Sequence, residues 1–184
     1  MNKEKKQFIF SKEDFILYIL NKLEPGKSDK IRLNKIAFFV EFAYLYCNKA
    51  ELTKIEYAAI DNGPVIDEYD AILKKMADEK KIKIDGYIVR PQKFPEVKVP
   101  DGIAEFIEGV IKKYSPLTNS ELIVLSHNTD SYKITSNNER EMGKLINKKL
   151  AALETFFEGG EENEIDEEKL PVIDRSKLVK YEFV

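Results

Sequence analysis

Residues 31–47 read IRLNKIAFFVEFAYLYC, and this stretch decides the fold that the sequence predicts. Its apolar side chains would surround a helix on nearly every side instead of forming one stripe. A helix with this pattern is buried by several neighbours. Ser28 or Asp29 can cap its N-terminus, so we predict a central core helix over about residues 29–47. Its polar residues fall mainly in the first half: Arg32, Asn34, Lys35 and Glu41.

Two segments outside this stretch have the caps and apolar spacing of further helices. Ser11 is followed by acidic residues, the composition of a helix N-terminus, and Pro25-Gly26 would end that helix. Asp101 is expected to cap a second helix, whose apolar residues recur every three or four positions up to Tyr114. We expect both helices to pack around the central one.

The region before residue 158 is predicted to contain two more helices. Thr118 and Glu121 have the spacing of a capping box ahead of a short helix at 122–126. Residues 127–132 are expected to form a polar loop. A last helix is predicted over 138–157, with these apolar side chains facing inward: Met142, Leu145, Ile146, Leu150, Leu153, Phe156 and Phe157.

A stiff turn follows a short β-like segment at 54–60. The stretch Asp61-Asn62-Gly63-Pro64 must end that strand, because Gly63 permits a positive φ and Pro64 restricts the residue before it. A helix over 66–80 can begin just past Pro64. We interpret the stretch as a switch from strand to helix.

Residues 82–89 predict a hairpin, with Asp85-Gly86 as its two-residue turn. That turn would give two facing pairs: Ile84 with Tyr87, and Ile82 with Val89. The predicted fold class is therefore α+β and mainly helical. Five or six helices surround the buried helix at about 29–47, beside a small antiparallel sheet.

The composition changes after residue 157. Residues 161–168 are mostly acidic and have little to bury, whereas apolar residues return at 177–184. We predict one domain over 1–157, followed by an acidic linker and an apolar C-terminal tail over 158–184.

Composition excludes several classes of function. The net charge is −3, so the chain lacks the overall basic field that accompanies nucleic-acid binding. The single cysteine, Cys47, excludes an internal disulfide and a cysteine-rich metal site. No apolar run approaches the roughly 20 residues of a membrane span, and the N-terminal residues lack the apolar stretch of a signal peptide. We expect a cytoplasmic protein with no membrane partner.

The sequence contains no recognisable catalytic or cofactor-binding pattern. His127 is the one histidine, and a nucleophilic site would need it beside a hydroxyl or thiol and an acid. The spacing of the available groups matches no such site: Ser126, Ser131, Cys47 and Asp130. Phosphate-binding glycine loops and calcium loops are also absent. We predict no catalytic residue, no metal ligand and no cofactor.

Three motifs occur in a recognisable order. They are RLNKIAFFVEFAYL at 32–45, NGPV at 62–65 and ELIVLSHNTDSYKIT at 121–135. In this order they resemble the aromatic helix, the turn, and the Ser-His loop of the Panacea domain, a family of SocA-like, phage-associated antitoxin proteins. The resemblance covers roughly residues 12–157.

The resemblance extends to individual positions. Leu33, Lys35, Ile36 and Phe39 match the family's aromatic helix, and Leu125 matches its Ser-His loop. Asn62 stands where the family more often has tyrosine, and Tyr132 stands near the usual tryptophan. The resemblance therefore marks these residues as a motif that binds a partner or supports the structure: Asn62, Gly63, Pro64, Val65, Ser126, His127 and Tyr132.

What the family implies is a non-enzymatic protein that binds and neutralises a protein toxin encoded beside it. We expect the exposed helix faces and residues 161–184 to contact the toxin, and the motif at 62–65 to brace the frame in preference to touching the toxin. One alternative is a proteolytic adaptor, in which residues 181–184 engage a protease or unfoldase. The other is an enzyme or a phage-associated nucleic-acid-binding module built around His127.

Overall fold

A computed structural model describes residues 8–24, 26 and 28–157. The described residues form six α-helices, one 3₁₀ helix and five short strands, which confirms the predicted α+β, mainly helical fold class. The helices are α1 (Lys12–Lys22), α2 (Lys30–Asn48), α3 (Tyr69–Asp78), α4 (Asp101–Tyr114), α5 (Asn119–His127), α6 (Asp130–Thr135) and the 3₁₀ helix (Lys148–Leu153). The strands are β1 (Tyr57–Ile60), β2 (Gly63–Ile66), β3 (Ile82–Asp85), β4 (Ile88–Pro91) and β5 (Lys144–Leu145).

The helix α2 forms the core, as the sequence predicts. Asp29 caps it by accepting a hydrogen bond from the Arg32 backbone N–H at 3.0 Å. The helix packs against α1, α4, α5, β2 and the 3₁₀ helix. Its phenylalanine rings are fully buried, and each contributes about 1.5–3 kcal/mol to stability by leaving water. Five charged or amide residues of the helix are buried with them: Lys30, Arg32, Asn34, Lys35 and Glu41.

Local capping signals identified the starts of two helices. Ser11 caps α1, and its hydroxyl oxygen accepts a backbone N–H of the first turn at 3.0 Å. Thr118 and Glu121 form the predicted capping box, although α5 is longer than the helix predicted at 122–126. The helix α4 ends at Tyr114 as predicted, but the predicted Asp101 cap is wrong: Asp101 is the first helical residue, and Pro100 occupies the N-cap position without a side-chain hydrogen bond.

The stretch around Gly63 is a hairpin, and the predicted switch from strand to helix is wrong. Asp61 and Asn62 form the turn between β1 and β2, and Gly63 adopts a φ of +82°. The two strands pair antiparallel along their whole length. The next helix, α3, begins only at Tyr69 and not near residue 66.

The second hairpin is present with a different register. Gly86 and Tyr87 form its turn, and Gly86 adopts a φ of +60°. Ile84 therefore faces Val89, and Ile82 faces Pro91. The two hairpins also belong to separate sheets: β1 lies between β2 and β5, and β3 pairs with β4.

The predicted last helix over 138–157 is wrong. Gly143 adopts a φ of +84°, and the backbone N–H groups of Gly143 and Ile146 donate to carbonyls of β1 at 2.7 Å each. This segment therefore becomes β5, and the 3₁₀ helix follows it. Leu145 and Leu153, which were expected to face inward, are 51% and 62% exposed.

The predicted polar loop over 127–132 is largely helical. Its second half forms the start of α6, because the Glu154 carboxylate accepts the backbone N–H groups of Asp130 at 2.9 Å and Ser131 at 2.8 Å. This cap comes from a residue far along the chain. Among the described helices, none has the length and apolar character to cross a membrane. The predicted linker and tail, 158–184, lie outside the described residues.

Candidate functional site

The turn between β1 and β2 lies against α5 and the first half of α2. Gly63 is buried there. A methyl group placed on Gly63 would overlap the Ser126 hydroxyl and would lie 3.0 Å from both Lys35 Nζ and His127 Cδ2. The position therefore requires glycine for two reasons, the positive φ and the lack of space. We call these six residues the turn cluster: Lys35, Gly63, Pro64, Ser126, His127 and Tyr132.

Two side chains of α2 bind the backbone of β2. The Pro64 carbonyl accepts hydrogen bonds from Lys35 Nζ at 2.8 Å and from Asn34 Nδ2 at 2.9 Å. The Asn34 Oδ1 atom accepts the Ile66 backbone N–H at 2.8 Å. The Asn34 amide therefore contacts the outer edge of β2 as a neighbouring strand would. Proline has no backbone N–H and cannot donate a hydrogen bond to a neighbouring strand, so Pro64 is suited to a strand at the edge of the sheet.

Lys35 is almost completely buried. Burial lowers the pKa of its ammonium group to about 7, because a low-dielectric interior disfavours the charged form. The Pro64 carbonyl is the acceptor that partly compensates for the lost water. Lys35 therefore lies close to its own titration point at neutral pH.

His127 is held between Glu139 and Tyr132. Its Nδ1 atom lies 2.7 Å from Glu139 Oε1, and its ring stacks on the Tyr132 ring at a centroid distance of 4.7 Å. Burial, followed by the positive charge of Lys35, lowers the pKa of His127, while Glu139 opposes the shift. A neutral ring that donates from Nδ1 has Nε2 as an acceptor. Among the described residues, that buried Nε2 atom has no hydrogen-bond partner.

Tyr132 links α6 to the end of β1. Its ring is fully buried, and its hydroxyl donates to the Ile60 carbonyl at 2.8 Å. Burial raises the pKa of Tyr132, so the hydroxyl stays protonated and remains a donor. Tyr132, which stands near the family's usual tryptophan, therefore combines a buried ring with a hydroxyl group that has a hydrogen-bond acceptor.

The Ser126 hydroxyl does not pair with His127. It donates to the Ile123 carbonyl of its own helix at 2.8 Å, and His127 Nδ1 faces Glu139. An activated serine requires a hydrogen bond to its general base, so this is not the geometry of a nucleophilic pair. In the part of the chain that the structure describes, no three His, Cys, Asp or Glu side chains are placed to bind a metal.

The structure brings five of the seven sequence-predicted site residues into one cluster: Gly63, Pro64, Ser126, His127 and Tyr132. Asn62 is half-buried in the turn, and Val65 is half-buried on β2, where it packs against the core. Sequence reasoning missed the contribution of Asn34 and the contact made by Lys35. The available signal was the presence of polar residues within an otherwise apolar helix.

A second buried polar cluster joins α2 to the 3₁₀ helix. Lys148 Nζ contacts Glu41 Oε1 at 2.7 Å and Glu51 Oε2 at 3.5 Å, and it donates to the Thr53 carbonyl at 2.8 Å. Glu41 is fully buried. Burial raises the pKa of Glu41 to about 7, although the Lys148 charge opposes the shift. We call Glu41, Glu51 and Lys148 the Lys148 clasp.

The turn cluster lies in a part of the sequence that a known family shares. The sequence model described as "Antitoxin SocA-like, Panacea domain" matches residues 33–133, more than half of the 184 residues. The chain belongs to this family. The match runs from α2 to α6 and includes the whole turn cluster, so the resemblance drawn from the three motifs is confirmed. No curated protein and no solved structure matches the chain.

Proposed function

We propose that this SocA-like antitoxin-family protein neutralises a cognate protein toxin by binding it, without catalysing a reaction. Membership of the family supports the antitoxin role. Binding is favoured over catalysis because polar side chains of the turn cluster form hydrogen bonds within the protein. Ser126, Lys35 and Tyr132 all donate to carbonyls of the protein itself. These groups stabilise the frame and are not directed at a substrate.

In this proposal the turn cluster braces the fold, and the toxin binds elsewhere. Gly63, Pro64 and Tyr132 are buried, which supports bracing over direct contact. A rigid frame reduces the conformational entropy lost on binding, and its exposed loops and helix faces can differ between proteins that share the frame. The proposed contact surfaces are the exposed helix faces, together with residues 161–184, which lie outside the described residues.

Two further features belong to this proposal. The antitoxin domain would extend over residues 1–157, and residues 158–184 would form a separate linker and tail. We place the protein in the cytoplasm, together with its toxin. Expression of residues 1–157 alone tests the boundary, because this fragment should unfold in a single cooperative transition without the rest of the chain.

The proposal is tested by co-expression with the product of the neighbouring open reading frame. We expect that product to arrest growth alone, growth to resume when this chain is present, and the two proteins to purify together. The Gly86→Ala variant should still protect cells, because the added methyl group meets nothing within 4 Å and only a backbone cost of about 1–2 kcal/mol remains. Loss of the toxin that depends on a cellular protease would instead favour the adaptor function. Protection without a complex would contradict the proposal.

A further inference from the structure

The face of the molecule around β5 and the 3₁₀ helix carries two exposed leucines. Leu145 on β5 and Leu153 on the 3₁₀ helix are 51% and 62% exposed. β5 is also the outer strand of its sheet, and within the described ranges no strand pairs with its other side. Exposed apolar side chains and open sheet edges both favour binding of a further segment.

Two adjoining clefts on this face carry an excess of lysine. Their volumes are about 270 Å³ and about 620 Å³, and both are lined by Glu51, Lys148 and Lys149. Lys49 lines the first cleft, and Lys54 lines the second together with Glu56. Lys148 is already engaged in the Lys148 clasp. The exposed side chains of Lys49, Lys54 and Lys149 therefore favour an acidic occupant.

The described chain ends beside these clefts. The Phe157 ring lies 6.1 Å from the Tyr46 ring, and Lys49 Nζ lies 4.9 Å from the centroid of the same Tyr46 ring. Residues 161–168, which follow four positions later, contain six acidic residues. An extended chain covers about 3.3–3.6 Å per residue, so this stretch can reach both clefts.

We propose that residues 158–184 of the same chain dock on this face. The acidic stretch 161–168 lies over the lysines of the clefts, and the apolar residues 177–184 cover Leu145 at the open edge of β5 and Leu153 on the 3₁₀ helix. Covalent attachment gives the segment a high effective concentration, so weak ionic contacts are sufficient. The segment then competes with any partner that binds the same face.

Zero-length carbodiimide cross-linking of the full chain at low salt tests the proposal, because it joins carboxylates only to amines in direct contact. We expect the monomeric product to contain links from 161–168 to Lys49, Lys54 or Lys149. These links should exceed those to the exposed lysines on the other elements by about tenfold, a ratio that corresponds to about 1.4 kcal/mol. The reference lysines are Lys74, Lys83 and Lys93.

Matched charge reversals identify the cause of the links. The Lys49→Glu/Lys149→Glu variant should also lose the links to the unchanged Lys54, whereas the Lys74→Glu/Lys83→Glu variant should keep the links to Lys49, Lys54 and Lys149. At about 1 M salt, where the screening length is about 3 Å, the links should also be lost. Links spread evenly over all exposed lysines would overturn the proposal. So would links confined to the dimeric product, because they would identify a second copy as the occupant.

Discussion

At the residue scale, Gly63 is the most sensitive point of the turn cluster. A side chain at its φ of +82° costs about 1–2 kcal/mol, and the overlap with Ser126 adds an overpacking cost of about 1–3 kcal/mol. We expect Gly63→Ala to lower the free energy of unfolding by about 2–5 kcal/mol, measured by urea denaturation with an unchanged m-value.

Gly86→Ala is the matched control for this substitution. Gly86 also has a positive φ, but a methyl group there meets nothing within 4 Å, so only the backbone cost of about 1–2 kcal/mol remains. Adding Ser126→Ala to Gly63→Ala should recover part of the loss, because it removes the overlapping oxygen. Equal losses at the two glycines would show that the close packing around Gly63 is not important.

Lys35 makes the stability depend on pH. Its pKa is about 7 in the folded chain and about 10.4 in an unfolded one. Between pH 7 and pH 9 the unfolded state therefore binds more protons, and the free energy of unfolding must rise with pH. The rise from this residue is limited to about 1.4 kcal/mol per pH unit.

Replacing Lys35 by methionine should remove this rise and leave the Asn34 bond to Pro64 in place. Urea denaturation of both proteins at pH 7, 8 and 9 measures the two slopes. Other titrating groups are common to the two proteins and cancel in the difference. A Lys35→Met protein with the same slope as the parent chain would contradict a buried, titrating Lys35.

The sequence alone predicts part of this cluster. The positive φ of Gly63 follows from its neighbours in the turn, and the three motifs lead to Ser126, His127 and Tyr132. The contact between Lys35 and the Pro64 carbonyl does not follow from any local pattern, because it depends on how α2 packs on β2. The role of Asn34 as a substitute for a neighbouring strand was missed for the same reason.

At the scale of elements, predictions succeeded where the signal lies within the element. The helices α1 and α2 have their caps and apolar spacing in their own sequences, and α4 has the apolar spacing without a side-chain cap. The segment 138–157 has helical spacing as well. However, backbone N–H groups in its first part donate to the carbonyl groups at the edge of β1, and Gly143 turns the chain at a positive φ. The helix α6 depends on a cap from Glu154. Such tertiary contacts outweigh local propensity.

We expect the Lys148 clasp to supply much of the free energy that holds the 3₁₀ helix against α2. Lys148→Met leaves Glu41 buried without its ionic partner, and we expect a loss of about 3–5 kcal/mol in the free energy of unfolding. Lys149→Met, at an exposed neighbouring position, should change it by less than about 0.5 kcal/mol. Urea denaturation measures both variants under the same conditions.

The pH dependence of the Lys148→Met loss follows from Glu41. Its folded pKa of about 7 lies above the unfolded value, so the folded state binds the extra proton between about pH 4.3 and 7. Stability from this group is present at low pH and falls as the pH rises to about 7. The Lys148→Met loss should therefore be larger at pH 8 than at pH 5.5, and Glu41→Gln should reduce it. A loss independent of pH would exclude Glu41 as the cause.

At the scale of the whole molecule, a buried helix and its braced turn form a frame whose outer surface is available to partners. The helix α2 is enclosed on several sides, as the sequence predicts. The family's motif residues lie largely inside this frame. Under the proposed function, neutralisation is therefore a stoichiometric binding event, in which the protein occupies the toxin and leaves its covalent structure unchanged.

Titration of purified toxin with the full chain tests this claim most directly, with toxin activity and toxin mass recorded at each ratio. The account predicts that activity disappears only as the ratio approaches a fixed stoichiometry, with no change in the intact mass of the toxin. Complete loss of activity at a small fraction of that ratio, together with a changed toxin mass, would contradict the account and identify an enzyme.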